Sequence, residues 1–258
     1  MIKAGMRIAA VATALSTWGL STALSTAAAA PTITNHPRIS AAKPHSTTGW
    51  SSSNWSGYAK TGGPFTSATG RWVVPSVSQT SKASYSSSWV GIDGFNNSSL
   101  IQTGTEQDWY SGSAHYAAWW EILPAAETVI PSITPSPGDV MTASITQVSA
   151  GQFTITLTDT TRNQSFTTQQ AYGGQLTSVE WIQEAPSLGG RVATLAHYSS
   201  PTLFDPGTAN GHSPGLTAAD GGVMVQSRTQ VSTPSAPDGD TDGFNVSYGS
   251  AAPSPPGS

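Results

Sequence analysis

Residues 153–158 read Phe-Thr-Ile-Thr-Leu-Thr, a strict alternation of apolar and polar side chains. Because successive side chains of an extended chain point to opposite faces, this pattern predicts a β-strand with one buried face. Similar alternation recurs at residues 70–74 and 222–226, and clusters of turn-forming residues stand between such segments at 61–64 and 135–139. The chain is therefore predicted to be all-β, an antiparallel β-sandwich of the jelly-roll or concanavalin-like kind.

The composition supports this fold class and excludes some functions. Glycine (26) and proline (18) together make up 44 of the 258 residues, a content that disfavours helices. With no cysteine, the chain must gain its stability from its core rather than from disulfides. The net charge is −4 without a basic patch, which argues against nucleic-acid binding. Only 9% of residues are charged, so we expect little stability to be lost to protonation in acid.

The N-terminus has the three parts of a secretory signal peptide, predicted to span residues 1–30. Lys3 and Arg7 precede an apolar run from Ile8 to about Leu20, and a stretch of small residues follows. No later segment approaches the roughly 20 apolar residues that a membrane helix needs. We therefore expect a secreted, monomeric protein with no membrane partner.

The rest of the chain divides into three predicted parts. Residues 31–48 are polar, with the basic residues Arg38 and Lys43 and no acidic residue, and we interpret them as a prosegment held by charge on the acidic remainder. Residues 49–249 are predicted to form a single β-sandwich domain. Residues 250–258, rich in proline, serine and glycine, are predicted to be a disordered tail.

Two predicted strands each place an unexpected polar group on a face suited to a cleft. Gln102 lies in the segment 100–104, and Glu180 lies in the segment 179–184. A carboxyl group can take a proton from water and return it to a leaving group, while an amide N–H can stabilise an oxyanion. Taken alone, Gln102 also fits an ordinary buried amide, and alternation puts Glu184 on the same face as Glu180.

Two further segments combine tryptophan with an acid. Alternation groups Trp89 with Asp93 on one strand and Trp119 with Glu121 on another, which resembles the lining of a concave sheet. Packing in the core is an equally good explanation for other tryptophans of the chain, such as Trp72.

Five segments occur in the order seen in the glutamic peptidases, also called eqolisins, and the resemblance runs from about Asn54 to Tyr248. The absence of cysteine indicates a bacterial-type member. The matching segments are Asn54-Trp55-Ser56-Gly57-Tyr58, Trp89-Val90-Gly91-Ile92-Asp93-Gly94, Gln102 with its neighbours, Trp119-Trp120-Glu121 with Pro124, and Glu180-Trp181-Ile182.

This resemblance implies a secreted, acid-acting endopeptidase that cleaves protein or peptide substrates with an activated water and needs no metal or cofactor. Glu180 would be the general base and acid, and Gln102 the oxyanion donor that also orients the water. The resemblance also implies a surrounding cleft of substrate-binding residues: Trp55, Trp89, Asp93, Trp119 and Glu121.

Two other functions remain open on the sequence. Glu121 and Glu180 in a tryptophan-lined groove would also suit a β-sandwich glycoside hydrolase, and a noncatalytic carbohydrate-binding module would need the tryptophans alone. The segment Asp238–Gly243 begins like a calcium loop, but the twelfth position is Gly249 where a bidentate glutamate is needed, so a polar turn is favoured. The histidines show no metal-binding spacing.

Overall fold

The computed structural model describes Met1 and residues 30–41, 49–199 and 201–258. The predicted signal peptide therefore lies almost wholly outside the described residues, as do positions 42–48 of the predicted prosegment. Within the described ranges, no helix is long and apolar enough to cross a membrane. Those ranges are built from strands and connecting turns, as the alternating sequence predicts.

Eighteen strands follow one another in the described residues. They are β1 (Ile33–Thr34), β2 (Trp50–Ser52), β3 (Trp55–Thr61), β4 (Ser67–Val73), β5 (Ser87–Ile92), β6 (Ile101–Tyr110), β7 (Ser113–Ile122), β8 (Thr128–Val129), β9 (Val140–Ser149), β10 (Gln152–Asp159), β11 (Gln164–Ala171), β12 (Ser178–Glu184), β13 (Ser187–Leu188), β14 (Arg191–Val192), β15 (Thr202–Ala209), β16 (Gly221–Gln226), β17 (Thr229–Pro234) and β18 (Phe244–Tyr248).

Fifteen strands form one continuous sheet in the order β11-β10-β9-β4-β15-β18-β17-β16-β3-β12-β5-β6-β7-β8, with β2 added in parallel to β16. The other pairings are antiparallel, and β1, β13 and β14 form a separate small sheet. The large sheet folds over on itself into two layers. Trp72 Nε1 on β4 donates to Thr105 Oγ1 on β6 at 3.0 Å, and Trp181 Nε1 on β12 donates to Thr69 O on β4 at 2.7 Å. The predicted antiparallel β-sandwich is confirmed.

The layer that contains β3, β12, β5, β6 and β7 buries apolar side chains on both of its faces. Val90 and Ile92 on β5 join the main core between the layers, while Trp89 points to the opposite face. There a second apolar cluster forms, and Trp72 and Trp120 belong to the main core instead. The second cluster consists of Trp50, Trp55, Ala59, Trp89, Leu100, Trp119 and Ile182.

The C-terminal tail corrects one expectation. Residues 250–258 form no strand, but they lie against the domain rather than free of it. Asn245 Nδ2 donates to Ser254 O at 2.9 Å, and Gly239 N donates to Ser258 Oγ at 3.1 Å. Composition predicted disorder because the tail has no apolar pattern, whereas polar contacts with distant residues hold it in place.

Candidate active site

Four residues on neighbouring strands form one row across the face that carries the second apolar cluster. Glu180 on β12 is opposite Gly91 on β5, Gly91 is opposite Gln102 on β6, and Gln102 is opposite Glu121 on β7. Since neighbouring strands lie about 4.8 Å apart, the Cα atoms of Glu180 and Gln102 are roughly 10 Å apart. A Cβ atom at Gly91 would stand 2.8 Å from Cζ3 of Trp89 and 3.1 Å from Cδ1 of Leu100, so these two side chains pack closely over the glycine.

The next row along the strands supplies the apolar wall of the site. Trp89 and Trp119 both pair with Gly104, where an added Cβ would stand 2.6 Å from Cβ of Trp89 and 2.9 Å from Cζ2 of Trp119. The rings of Trp55 and Trp89 meet edge to face with their centroids 5.0 Å apart. The structure therefore brings the three predicted tryptophans together beside Gln102 and Glu180.

A short hydrogen bond fixes the Gln102 amide. Its Nε2 atom donates to Oε2 of Glu121 at 2.6 Å, and the backbone N–H of Asn35 donates to the same oxygen at 3.2 Å. Burial, with the nearby charges of Glu184 and Glu127, raises the pKa of the Glu121 carboxyl to about 9. An amide nitrogen carries two N–H groups, so this contact still leaves Gln102 one donor for a ligand.

The Glu180 carboxyl is buried without a bond to another protein group. Its side chain is fully inaccessible, and neither carboxyl oxygen has a hydrogen-bond partner among the described residues. Burial raises the pKa of the Glu180 carboxyl well above its ordinary value; the nearby Ser178 hydroxyl limits the rise, and the charge of Asp93 adds to it. A buried carboxyl without partners is unusual, because an unsatisfied polar group costs stability, and it indicates a functional group.

Asp93 has a different position from the one that alternation predicts. Strand β5 ends at Ile92 and Asp93 has a φ of 74°, so it no longer follows the side-chain alternation of Trp89. Its carboxylate accepts hydrogen bonds from Tyr172 OH at 2.8 Å, Leu176 N at 2.8 Å and Thr177 N at 2.9 Å. Asp93 therefore anchors the loop that leads into β12, the strand of Glu180.

Glu184 belongs to the site, although sequence reasoning did not include it. Its carboxylate accepts hydrogen bonds from Trp89 Nε1 at 2.9 Å, Asn54 Nδ2 at 3.2 Å and His36 N at 3.0 Å. Burial raises the pKa of Glu184 to about 8, and these hydrogen bonds limit the rise. The sequence did contain a signal for Glu184, because alternation places it on the same face of β12 as Glu180. Because its oxygens are occupied, Glu184 is suited to holding Trp89 in place rather than to proton transfer.

A group of acids that the sequence analysis missed extends from this face. Glu106, which follows Gln102 and Gly104 in the alternation of β6, is 2% exposed and pairs with Ser87. Burial, followed by the charges of Asp108 and Glu127, raises the pKa of Glu106 well above its ordinary value. The chain has five glutamates, and all five lie in or beside this site: Glu106, Glu121, Glu127, Glu180 and Glu184.

The described part of the predicted prosegment lies across the same face. Ile33 pairs with Leu188 of β13, and Asn35 is completely buried. Asn35 Oδ1 also accepts a hydrogen bond from Ser87 Oγ at 2.8 Å. Residues 33–36 thus reach Glu121 and Glu184 through their backbone N–H groups.

Charge attraction was the predicted means of holding this segment, and the described contacts are of another kind. The guanidinium of Arg38 stands over the ring of Phe95, 4.2 Å from its centroid. No ion pair among the described residues joins Arg38 to a carboxylate. Lys43 lies outside the described residues. Hydrogen bonds and apolar packing therefore hold the described segment, since the nearby carboxyl groups are buried with raised pKa values.

The contact between Gln102 and Glu121 leads to a prediction about positioning. We expect Glu121→Ala to lower kcat about 10-fold with a smaller change in KM, because the amide loses the partner that orients it. Glu121→Gln keeps an oxygen that accepts from Gln102 Nε2 and should restore most of kcat. Steady-state kinetics on a peptide substrate would check both variants, and an alanine variant with unchanged kcat would contradict the positioning role.

Comparison with known proteins agrees with this geometry. The sequence profile of the Peptidase A4 family matches residues 53–248. Aspergillopepsin-2 of Aspergillus niger is 29% identical over 188 residues, which cover 63% of this chain and 66% of that protein. Scytalidopepsin B of Scytalidium lignicola is 35% identical over 137 residues, which cover 51% of each chain. The chain thus spans about two thirds and about half of the lengths of these relatives.

Solved structures give the same result. A scytalido-glutamic peptidase with a transition state analog inhibitor superposes with a TM-score of 0.62 at 26% identity, covering 76% of this chain and 98% of that chain. The aspergilloglutamic peptidase of Aspergillus niger gives a TM-score of 0.53 at 26% identity, covering 64% and 99% of the two chains. The family match spans most of the chain and includes the strands of Gln102 and Glu180, so this protein belongs to the Peptidase A4 family, the glutamic peptidases or eqolisins.

Proposed function

We propose that this protein is a secreted, acid-acting endopeptidase that hydrolyses peptide bonds with Glu180, Gln102 and a water molecule. One observation carries the proposal: Glu180 and Gln102 project from the strands on either side of Gly91, on a face walled by tryptophan. In the proposed complex, a water and a peptide carbonyl lie between these two side chains. Secretion rests on the predicted signal peptide.

The proposed reaction has two steps. The Glu180 carboxylate takes a proton from water as the water oxygen bonds to the carbonyl carbon, and the carbonyl oxygen becomes an oxyanion. The free N–H of Gln102 donates to this oxyanion. When the carbon–nitrogen bond breaks, Glu180 returns the proton to the departing amine nitrogen.

Action in acid follows from the ionisation of Glu180. In the structure, burial raises the pKa of Glu180 and favours the neutral form. Opening the cleft to water reduces the desolvation of the Glu180 carboxyl. Its pKa then moves toward that of a free glutamate, about 4.3. Both forms of the carboxyl are then populated in mild acid, as a group that first accepts and then donates a proton requires.

A direct assay tests the proposed function against the sugar alternatives. The secreted protein is incubated at acidic pH with a denatured protein and, separately, with a polysaccharide. We expect new peptide termini from the first and no reducing ends from the second. Reducing ends without peptide cleavage would reject the proposal in favour of a glycoside hydrolase, and polysaccharide retention without cleavage of either would favour a binding module.

We also propose that residues 31–41 inhibit the enzyme by occupying its cleft, as the contacts of Asn35 and His36 with Glu121 and Glu184 support. A synthetic 31–41 peptide should lower the activity of enzyme freed of this segment at least 10-fold at saturation. The inhibition should persist in high salt, because the described contacts include no ion pair with a carboxylate.

The matched control for this experiment is a peptide in which Asn35 is replaced by proline, which removes the N–H that reaches Glu121. We expect weaker inhibition from it. Equal inhibition by both peptides, or inhibition that disappears in high salt, would contradict occupation of the cleft through these hydrogen bonds.

A further inference from the structure

Three carboxylates meet in a part of the fold that the proposed reaction does not use. Asp205 lies on β15, and Asp238 and Asp242 lie in the connection between β17 and β18. One carboxylate oxygen from each lies within 4.8 Å of those of the other two. Sequence separation hides this group, because more than 30 residues lie between Asp205 and Asp238.

The Asp238 carboxylate gives a second, independent indication of a ligand. Asp238 is only 7% exposed, and its Oδ1 atom accepts a hydrogen bond from the backbone N–H of Asp242 at 3.2 Å. Oδ2 is buried and has no hydrogen-bond partner among the described residues. A Cβ atom at Gly243 would clash with Oδ2 and stand 2.8 Å from Cβ of Asp205, so this unpartnered oxygen faces Asp205 across the glycine.

Among the described residues, no ion pair is formed by these three carboxylates. The ion pairs of the described residues involve other acids. Arg71 donates to the backbone carbonyl oxygen of Asp205 at 3.0 Å. Three close, partly buried carboxylates that form no ion pair are costly, so a ligand that supplies positive charge would stabilise the fold.

We propose that Asp205, Asp238 and Asp242 bind a divalent cation, for which calcium fits best. The group offers carboxylate oxygens and no histidine or cysteine, which suits a hard cation, and calcium tolerates irregular oxygen geometry better than magnesium does. The sequence favoured a polar turn because Gly249 cannot supply the last ligand of a calcium loop. Asp205 supplies a carboxylate from a distant strand instead. The ion ties the β17–β18 connection to β15 and acts structurally.

Thermal unfolding of the full chain, stripped of metal and measured with and without millimolar calcium chloride, tests this proposal. At a free calcium concentration of about 100 times Kd, we expect the wild-type Tm to rise by about 5 °C or more. Asp238→Asn should remove the rise. Asp240→Asn is the matched control, since it removes the same charge from the same loop outside the group of three, and it should keep the rise.

Equilibrium dialysis with radioactive calcium gives a readout that does not depend on stability. We expect one bound ion per wild-type chain and none in Asp238→Asn or, should that variant fail to fold, in Asp205→Asn. No bound calcium in the wild type would overturn the proposal. Equal loss of binding in Asp240→Asn and Asp238→Asn would overturn the assignment of these three ligands, and tighter binding of magnesium would overturn the choice of calcium.

Discussion

Replacing Glu180 by glutamine should reduce kcat at least 10³-fold while leaving the fold intact. Glutamine fills nearly the same space but cannot accept a proton from water or return one to the leaving amine. Gln102→Ala should lower kcat by about 10²–10³, the usual cost of losing one oxyanion donor. Both variants are assayed as the mature enzyme on a denatured protein at acidic pH, with circular dichroism to verify folding.

Glu184→Gln is the control for the choice of glutamate. The Glu184 oxygens accept hydrogen bonds from Asn54 and Trp89, and an amide oxygen preserves part of this bonding. We therefore expect a loss of less than about 10-fold, with the fold retained. An inactive Glu184→Gln beside an active Glu180→Gln would show that the wrong glutamate has been chosen, and an active Gln102→Ala would reject the oxyanion role.

Raising the pH from about 5 to about 8 should destabilise the protein by several kcal/mol, so that it is most stable in acid. Burial raises the pKa values of Glu127 to about 7 and Glu184 to about 8, from 4.5 in the unfolded chain. In this window the folded state binds more protons than the unfolded state, so stability is fully present below pH 4.5 and falls as pH rises through the folded values. A shift of three pKa units corresponds to about 4 kcal/mol.

Urea unfolding at a series of pH values measures this effect. The Glu180→Gln variant is the suitable background, because it retains residues 31–41 without self-cleavage. Burial raises the pKa of the Glu106 carboxyl well above its ordinary value. Glu106→Gln substitutes an amide, which does not ionise, so this variant should lose less stability as the pH rises. Asp240→Asn, in the connection between β17 and β18, removes an acid that does not act on these glutamates and should leave the slope unchanged. Stability that rises between pH 5 and pH 8 would contradict the buried, protonated carboxyls.

The sequence and the structure give two different physical reasons to expect that the protein is stable in acid. The sequence predicts tolerance because only 9% of residues are charged. The structure adds that the few glutamates are concentrated on one face, where burial favours their neutral forms. Composition counts ionisable groups, whereas the pKa of each group depends on its neighbours, which the fold supplies.

The strand alternation alone determined the antiparallel β-sandwich and the faces of most side chains. Alternation correctly placed Trp119 with Glu121 on one face of β7 and Glu180 with Glu184 on one face of β12, because side-chain direction in a strand is a local property with a period of two. The same rule misplaced Asp93, since the strand ends one residue earlier and a positive φ turns its side chain elsewhere. The resemblance in order of five segments identified the family, which the profile match confirmed.

Tertiary structure alone decided which residues meet across strands. Gly91 separates Glu180 from Gln102, and Glu121 orients Gln102, only because β12, β5, β6 and β7 pair in that order and register. Asp205 also lies beside Asp238, and Asn35 contacts Glu121, although each pair is far apart in sequence. Local pattern specifies each strand and its faces, but register and sheet order are set by side-chain packing over the whole chain.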